Sequence, residues 1–334
     1  MKRRSLVSTL TVVACLTSLG STPIRSVDVA TQTAQADLIV VGEVITVVQQ
    51  ERVTVDLPGG SVLGTTFQAV LRPDRVLKGN ARGSDVSFRF LLPDVPVGFH
   101  GVAVGQYALL FLRAAEGGWE FVDPLHPALP AVRVAQLPSG TPLDQVTAQL
   151  GKVLTSAESS DSDCARVLDA FRQLRTDFAE QVMRDGLKAT SGNRRLTIAA
   201  SLVARNDLAG LEPLATALSN PSGIPPDLLL NLAGSLAGLK DPKSVPTLSR
   251  LVKLNNPDIN RYAAAALRQS GSWEALPTLS HMLDDPDQWT RYYAVIGFGE
   301  ITRQNEWAPA FEEFRGNEQH YLAHWRLWAQ ANLR

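Results

Sequence analysis

The segment LNNPDINRYAAAAL (254–267) can be laid on LDDPDQWTRYYAVIGF (283–298), with one extra residue between the aspartate and the arginine of the second copy. Upstream, SVPTLSRLV (244–252) matches ALPTLSHML (275–283) without a gap. The prolines of these units fall at Pro213, Pro246, Pro277 and Pro309, at intervals of 33, 31 and 32 residues, and LSNPSG (218–223) supplies a weaker third junction. No unit of about thirty residues with two amphipathic helices can bury its apolar faces alone. Each must stack on its neighbours, so the C-terminal half is expected to be an α-solenoid.

The pattern NPDINRYAAAALRQSGSWEALPTLSHMLDDPD resembles bacterial HEAT-like repeats, including the type found in phycobilisome lyase subunits, over roughly Asn193 to Arg334. The resemblance implies aspartates and arginines that bridge adjacent units. Asp258 and Asp287 precede Arg261 and Arg291 by three or four residues, a spacing that also suits a same-face ion pair. The carboxylates Asp284 and Asp285 invite a catalytic or metal-binding reading. Their sister unit, however, has Asn255 and Asn256, and the weaker copy has Ser219 and Asn220. All of these suit a helix start and only one pair is charged, so the cluster reads as helix capping. A metal site would need specific ligands held by further hydrogen bonds.

The first half has a shorter period. DLIVVGEVITVV (37–48), RVTVDL (52–57), TTFQAVLRPDRVL (65–77), DVSFRFLL (85–92), QYALLFL (106–112), WEFV (119–122) and AVRVA (131–135) read as strands. Pro58-Gly59-Gly60 and Gly117-Gly118 mark tight turns between them. Seven strands so spaced suggest a small antiparallel barrel or sandwich. Val27, Ala30 and Ala34 share a helical face just upstream. ADLIVVGEV, RVLKG and GQYALLFL with its Gly-Gly hairpin loosely resemble an exported bacterial β-barrel module of the oligonucleotide-binding or netrin-like kind. The disulfide-bonded cysteine that opens netrin-like inhibitors has no counterpart here, so protease inhibition is not carried over.

The expected organisation is a signal peptide at 1–20, a β domain at 27–136, a linker at 137–142 and a helical repeat domain at 143–334. Thr141 can cap a helix opening at Pro142, with Asp144 in its first turn. Leu143, Val146, Leu150, Val153 and Leu154 make its apolar face. The serines at 159, 160 and 162 then break the chain before the next helix.

Lys2, Arg3 and Arg4 followed by the apolar stretch Leu6 to Leu19 read as an export signal, too short to span a bilayer. Val12-Val13-Ala14-Cys15 resembles a lipobox, which makes Cys15 a candidate for lipidation, while a cut after Gly20 competes with it. Export to the periplasm or cell surface is expected either way. Without the signal, 29 basic residues face 33 acidic ones, a net charge near −4. That balance speaks against nucleic acid as a partner, and leaves membrane attachment only through a lipid at Cys15. Cys164 is then the one remaining cysteine and has no disulfide partner. It shares a face with Val167, Leu168 and Phe171, so a buried apolar role outweighs a nucleophilic one.

His320 and His324 stand one turn apart, but the residue after His320 is Tyr321, not the glutamate of a zinc-peptidase helix, and no third ligand is evident. His100 and His126 lie isolated in loops. Gly59, Gly60 and Gly64 are followed by neither a helix nor a lysine, so they signal turns, not phosphate binding. No nucleophile elbow, Walker or dinucleotide fingerprint occurs, and no metal or cofactor is expected.

Half of the aromatic residues, 11 of 22, fall in the last 62 positions. They suit a packed terminal cap, needed because the last repeat has no neighbour. They also suit a partner-binding patch, since Trp, Tyr and Arg dominate binding hot spots. Trp289 is singled out because its nearest counterpart is Ile259 and the inserted residue shifts its facing. The expected function is an exported, non-enzymatic scaffold or adaptor that binds a protein through the solenoid, with Arg261, Trp289, Arg291 and Tyr293 as the contact residues. The alternatives are an accessory enzyme subunit of the lyase-like HEAT type, or a ligand-binding or inhibitory β-barrel displayed on a solenoid.

Overall fold

A computed structural model of the protein describes residues 27–57, 60–81, 85–95, 100–125 and 128–333. The expected export signal with Cys15, the turn residues Pro58 and Gly59, and His126 lie outside them.

The described strands are β1 (Leu38–Leu57), β2 (Gly60–Lys78), β3 (Val86–Pro93), β4 (Tyr107–Ala115), β5 (Gly118–Phe121) and β6 (Ala128–Pro130). Two segments that read as separate strands are one, because irregularities between Val44 and Thr46 and between Gln49 and Arg52 let β1 bend without breaking. At Gly42, opposite Pro73, a Cβ would lie 2.2 Å from the Arg72 carbonyl oxygen, so only glycine fits this bend. Pairings run from β1 through β2, β3, β5 and β4 back to β1, which closes the sheet on itself, with β6 on β4. One junction departs from the antiparallel expectation: β3 and β5 pair in parallel, Phe88 opposite Trp119.

The segment 131–135 is not a strand. Its carbonyls bond to side chains instead of a neighbouring backbone: Arg75 donates to Val134 and Ala135, and the Gln149 amide donates to Val132.

The near-continuous apolar runs in β1 and β4 have a direct cause. Leu38, Val40, Val44, Ala108, Leu110 and Leu112 point into the barrel with Phe88, Phe90 and Phe121. The alternate residues Ile39, Val41, Leu109 and Phe111 point outward and are just as buried, under helices. Strands covered on both faces cannot show polar alternation. Helix α1 (Val29–Gln35), capped by Asp28, is part of that cover. It buries Val29, Gln32 and Thr33 and leaves Ala34 exposed, a different face from the Val27, Ala30, Ala34 stripe.

The rest is helical. Thr141 and Asp144 form a reciprocal capping box at the start of α2 (Pro142–Thr155), and Ser160 and Asp163 do the same for α3 (Asp161–Gln173). Then follow α4 (Asp177–Ala189), α5 (Gly192–Ala204), α6 (Leu211–Ser219), α7 (Pro226–Ser235), α8 (Val245–Val252), α9 (Pro257–Gln269), α10 (Leu276–Met282), α11 (Gln288–Thr302), α12 (Phe311–Gly316) and α13 (Glu318–Asn332). Packing is between neighbours in a row: α5 on α7, α7 on α9 and α9 on α11 form one layer, and α6 on α8 belongs to the other. The last helix, α13, lies across both α10 and α11 and closes the stack. No described helix is long and apolar enough to cross a membrane.

One apolar core runs through the molecule. It joins the outward residues of β1 and β4 to Val146, Leu150 and Val153 of α2 and to Val167 and Phe171 of α3, and continues to Trp325 of α13. The 137–142 segment therefore connects two parts that are packed together, not tethered.

Candidate interaction surface

The site residues sit where the repeats meet. In α9 the Asn256 side chain accepts from the Ile259 N–H, and in α11 the Asp287 side chain accepts from the Thr290 N–H at 2.9 Å. The first backbone turns close from Asn260 to Asn256 and from Arg291 to Asp287. Asp287 is thus the helix cap equivalent to Asn256, 31 residues on, the same step as from Pro246 to Pro277, so the units match without an extra residue and LDDPD is shifted by two positions from LNNPD. Counted from these caps, Trp289 corresponds to Asp258, which is exposed, and not to Ile259, whose true counterpart is the buried Thr290. Tyr293 corresponds to Tyr262. No insertion therefore shifts the facing of Trp289; that position already faces solvent in the neighbouring unit.

Asp284 and Asp285 do not cap. Asp284 pairs with Arg326 of the closing helix, and Asp285 accepts from Asn260 of the preceding unit and from its own Asp287 N–H.

The two arginines are engaged within the fold. Arg261 grips Asp287 through two hydrogen bonds of 3.1 and 2.6 Å, reaching from α9 to the cap of α11. Arg291 pairs with Glu318 at the start of α13 and also donates to the carbonyls of Asp285 and Pro286. Both ion pairs run between units, and the same-helix pairs Asp258–Arg261 and Asp287–Arg291 do not form. A side chain three or four residues from its partner on the same helix loses here to one that the stacking presents in better geometry. Burial raises the Asp287 carboxyl, but the hydrogen bonds from Arg261 and Thr290 outweigh it and hold it below the ordinary aspartate value. Glu318 is lowered in the same way against its own burial, by Arg291 and Gln288.

Trp289 is 39% exposed and lies flat on Phe311, ring centres 3.9 Å apart and planes within 1°. Tyr292 meets the same two rings edge-on, and Tyr293 flanks Trp289 at 6.0 Å. The result is an aromatic platform half open to solvent. Phe311 comes from α12, after the repeat has ended, so no periodicity marks it as a partner of Trp289. Most of the other C-terminal aromatics form the cap: Trp325 is fully buried, stacks on Phe298 and donates its Nε1–H to the Trp307 carbonyl. Buried cap and half-open platform are joined through Phe314, which touches Tyr292 on one side and Tyr321 on the other, and Trp273 stays exposed beside Trp328.

His324 lies flat against Trp307 with its Nε2 buried and without a hydrogen-bond partner, while His320 is exposed. Burial pushes the His324 imidazole below its ordinary value, and the neighbouring His320 adds to this. Among the described residues no group of three His, Cys, Asp or Glu side chains could hold a metal ion. Cys164 borders a cavity of about 150 Å³ together with Asp161, Arg194 and Leu228. Burial pushes its thiol up, and the Sγ–H faces the Val153 carbonyl, so it is a poor nucleophile.

No curated protein matches the chain. Among solved structures, the complex of CpcE and CpcF of phycocyanin lyase from Nostoc sp. PCC7120 is similar to it, with 16% identity and a TM-score of 0.38, over 54% of this chain and 72% of that one. The family model of HEAT repeats matches residues 224–299. That stretch holds α7 to α10 and most of α11, with Arg261, Trp289, Arg291 and Tyr293, while Phe311 and Glu318 lie beyond it; the helical half is a repeat solenoid whose residues 224–299 match HEAT repeats.

Proposed function

We propose that this protein is an exported, non-enzymatic scaffold that binds a partner protein across the exposed face of α9, α11 and α12. The observation that carries the reading is the platform of Trp289 on Phe311, flanked by Tyr292 and Tyr293 and left open to solvent on a repeat surface. A large ring held rigid by stacking loses little entropy when a partner covers it, which is how hot-spot residues work. Arg261 and Arg291 contribute by fixing the units on which the platform rests, and Tyr293 contributes contact area. Export rests on the basic start at Lys2 to Arg4 and the apolar stretch that follows.

The test is capture from envelope extract with the full chain as bait, wild type against Trp289→Ala. A partner retained by the wild type and lost by the variant supports the reading. A partner held equally by both, with the variant folded by its thermal transition, overturns the placement. Mass analysis of the mature N-terminus tests export: a diacylated Cys15 or a start near Ser21 supports it, and an intact Met1 opposes it.

A further inference from the structure

The second residue of each helix in the α7, α9, α11 layer forms a row. These residues are Asp227, Asp258 and Trp289, successive members being 31 residues apart. The register does not depend on where a helix is said to begin, because the first closing hydrogen bonds, Leu229 to Pro225, Asn260 to Asn256 and Arg291 to Asp287, fall at the same place in all three. All three side chains are exposed, and the helices pack on one another in order. One turn further along each helix lie Leu230, Arg261 and Tyr292, then Asn231, Tyr262 and Tyr293. Leu230 is 48% exposed, an apolar side chain in the open.

The charge of this face is one-sided. Asp227 and Asp258 make no ion pair within the described chain, whereas Arg261 is neutralised by Asp287 and Arg291 by Glu318. A first-turn aspartate suits the positive end of its helix, which accounts for its choice there but leaves its charge facing solvent. Two carboxylates without a close ion pair, Asp258 within electrostatic reach of Arg261, therefore lead up to an aromatic platform.

We infer that this face takes an extended, cationic segment of a partner protein, its basic side chains meeting Asp227 and Asp258 and a further basic or apolar side chain covering Trp289. The inference rests on the partner-binding reading above. The spacing is set by geometry: packed helices lie about 8–10 Å apart, and a segment extended in the polyproline II conformation has about three residues per turn and advances about 3.1 Å per residue. One helix step thus corresponds to about three residues, and basic side chains at every third position would face the row. Carboxylate contacts give salt-dependent attraction, and a guanidinium over an indole adds a cation–π contact.

The probe is a fluorescent peptide with arginine at every third position in a glycine-serine background, set against the same peptide with glutamate, and titrated by anisotropy into the full chain. Tight binding of the arginine peptide is expected, weakening as salt is raised. The double variant Asp227→Asn with Asp258→Asn should weaken it about tenfold, and Trp289→Ala by about tenfold or more. These exposed substitutions leave the core untouched, and thermal unfolding of each variant checks that it is folded. Equal binding by wild type and variants would place the peptide elsewhere and overturn the inference. Trp289-dependent binding of the glutamate peptide alone would overturn the cationic class and keep the surface. No binding of either peptide overturns the inference as well, and the capture experiment with Trp289→Ala then judges the broader reading separately.

Discussion

Replacing Gly238 by alanine tests whether the units stack as closely as the structure has them. Two Leu-Ala-Gly turns, at 208–210 and 236–238, press against α5. A Cβ on Gly238 would lie 2.5 Å from both the Cα and the carbonyl oxygen of Ala204, and one on Gly210 would lie 2.3 Å from the carbonyl oxygen of Ala199. Ordinary contact begins near 3.4 Å, so the turn and the helix must part by about 1 Å. Both opposing groups are backbone, so no change of rotamer relieves the clash. Overpacking of this kind costs about 1–3 kcal/mol, and each kcal/mol lowers Tm by about 2–4 °C in a chain of this order of size. The expected fall for Gly238→Ala is about 3–10 °C, followed by circular dichroism of the helical signal during heating, with Gly210→Ala as a replicate at the sister turn. Gly316→Ala is the control: nothing lies within 4 Å of its new methyl group, and the loss of glycine freedom in the unfolded chain leaves Tm unchanged or slightly raised. A Gly238→Ala protein that melts with the wild type would refute the close approach and the stacking derived from it.

Other outcomes follow from the same geometry. A double-mutant cycle on Arg261→Met and Asp287→Asn should give a coupling of about 0.5–1 kcal/mol in urea unfolding, small because the two side chains are 36% and 17% exposed, and asparagine preserves the helix cap. Asp287 and Glu318 are both held below their ordinary values in the folded protein. Their contribution is therefore complete above the unfolded value near pH ~4 and is lost as pH falls through the lower folded value. The urea midpoint should hold down to about pH 5 and then drop, and Asp287→Asn should flatten part of that drop. Phe111→Ala, at a ring 1% exposed between β4 and the helices, should cost about 3–5 kcal/mol. Limited proteolysis of that variant should open the barrel and the first helices together; cleavage confined to the barrel would mean the two parts do not share a core.

Legibility differed between parts of the chain for definite reasons. The repeat was plain in sequence because its constraints are local: a cap, a proline in the first turn and an apolar stripe recur wherever a unit must stack. Four of the five residues predicted for the apolar face of α2, namely Val146, Leu150, Val153 and Leu154, are fully buried, and Thr141 caps that helix as its spacing implies. The barrel was legible as strands, but not in its joins. Bulges that carry β1 through Gln49 to Arg52 leave no compositional mark, and AVRVA alternates like a strand although its carbonyls go to Arg75 and Gln149. At the candidate surface, Trp289 stood out as an aromatic in a place where its sister unit has none. Its stacking partner Phe311, and the engagement of Arg261 and Arg291 across units, did not.

The sequence by itself determined two architectures and their order, because turn chemistry, caps and apolar periods act over a few residues at a time. Tertiary structure alone decided which charges form close ion pairs. Asp287 and Asp258 each follow a proline in sequence, yet in the fold Asp287 is a helix cap set against Arg261 and Asp258 is a first-turn residue facing solvent. It also decided which aromatic rings are core and which are surface: Trp325 is fully enclosed, whereas Trp289 has Phe311 of α12 on one face and stays 39% exposed. Burial and ion pairing depend on what arrives from elsewhere in the chain, and no pattern within a single unit records that.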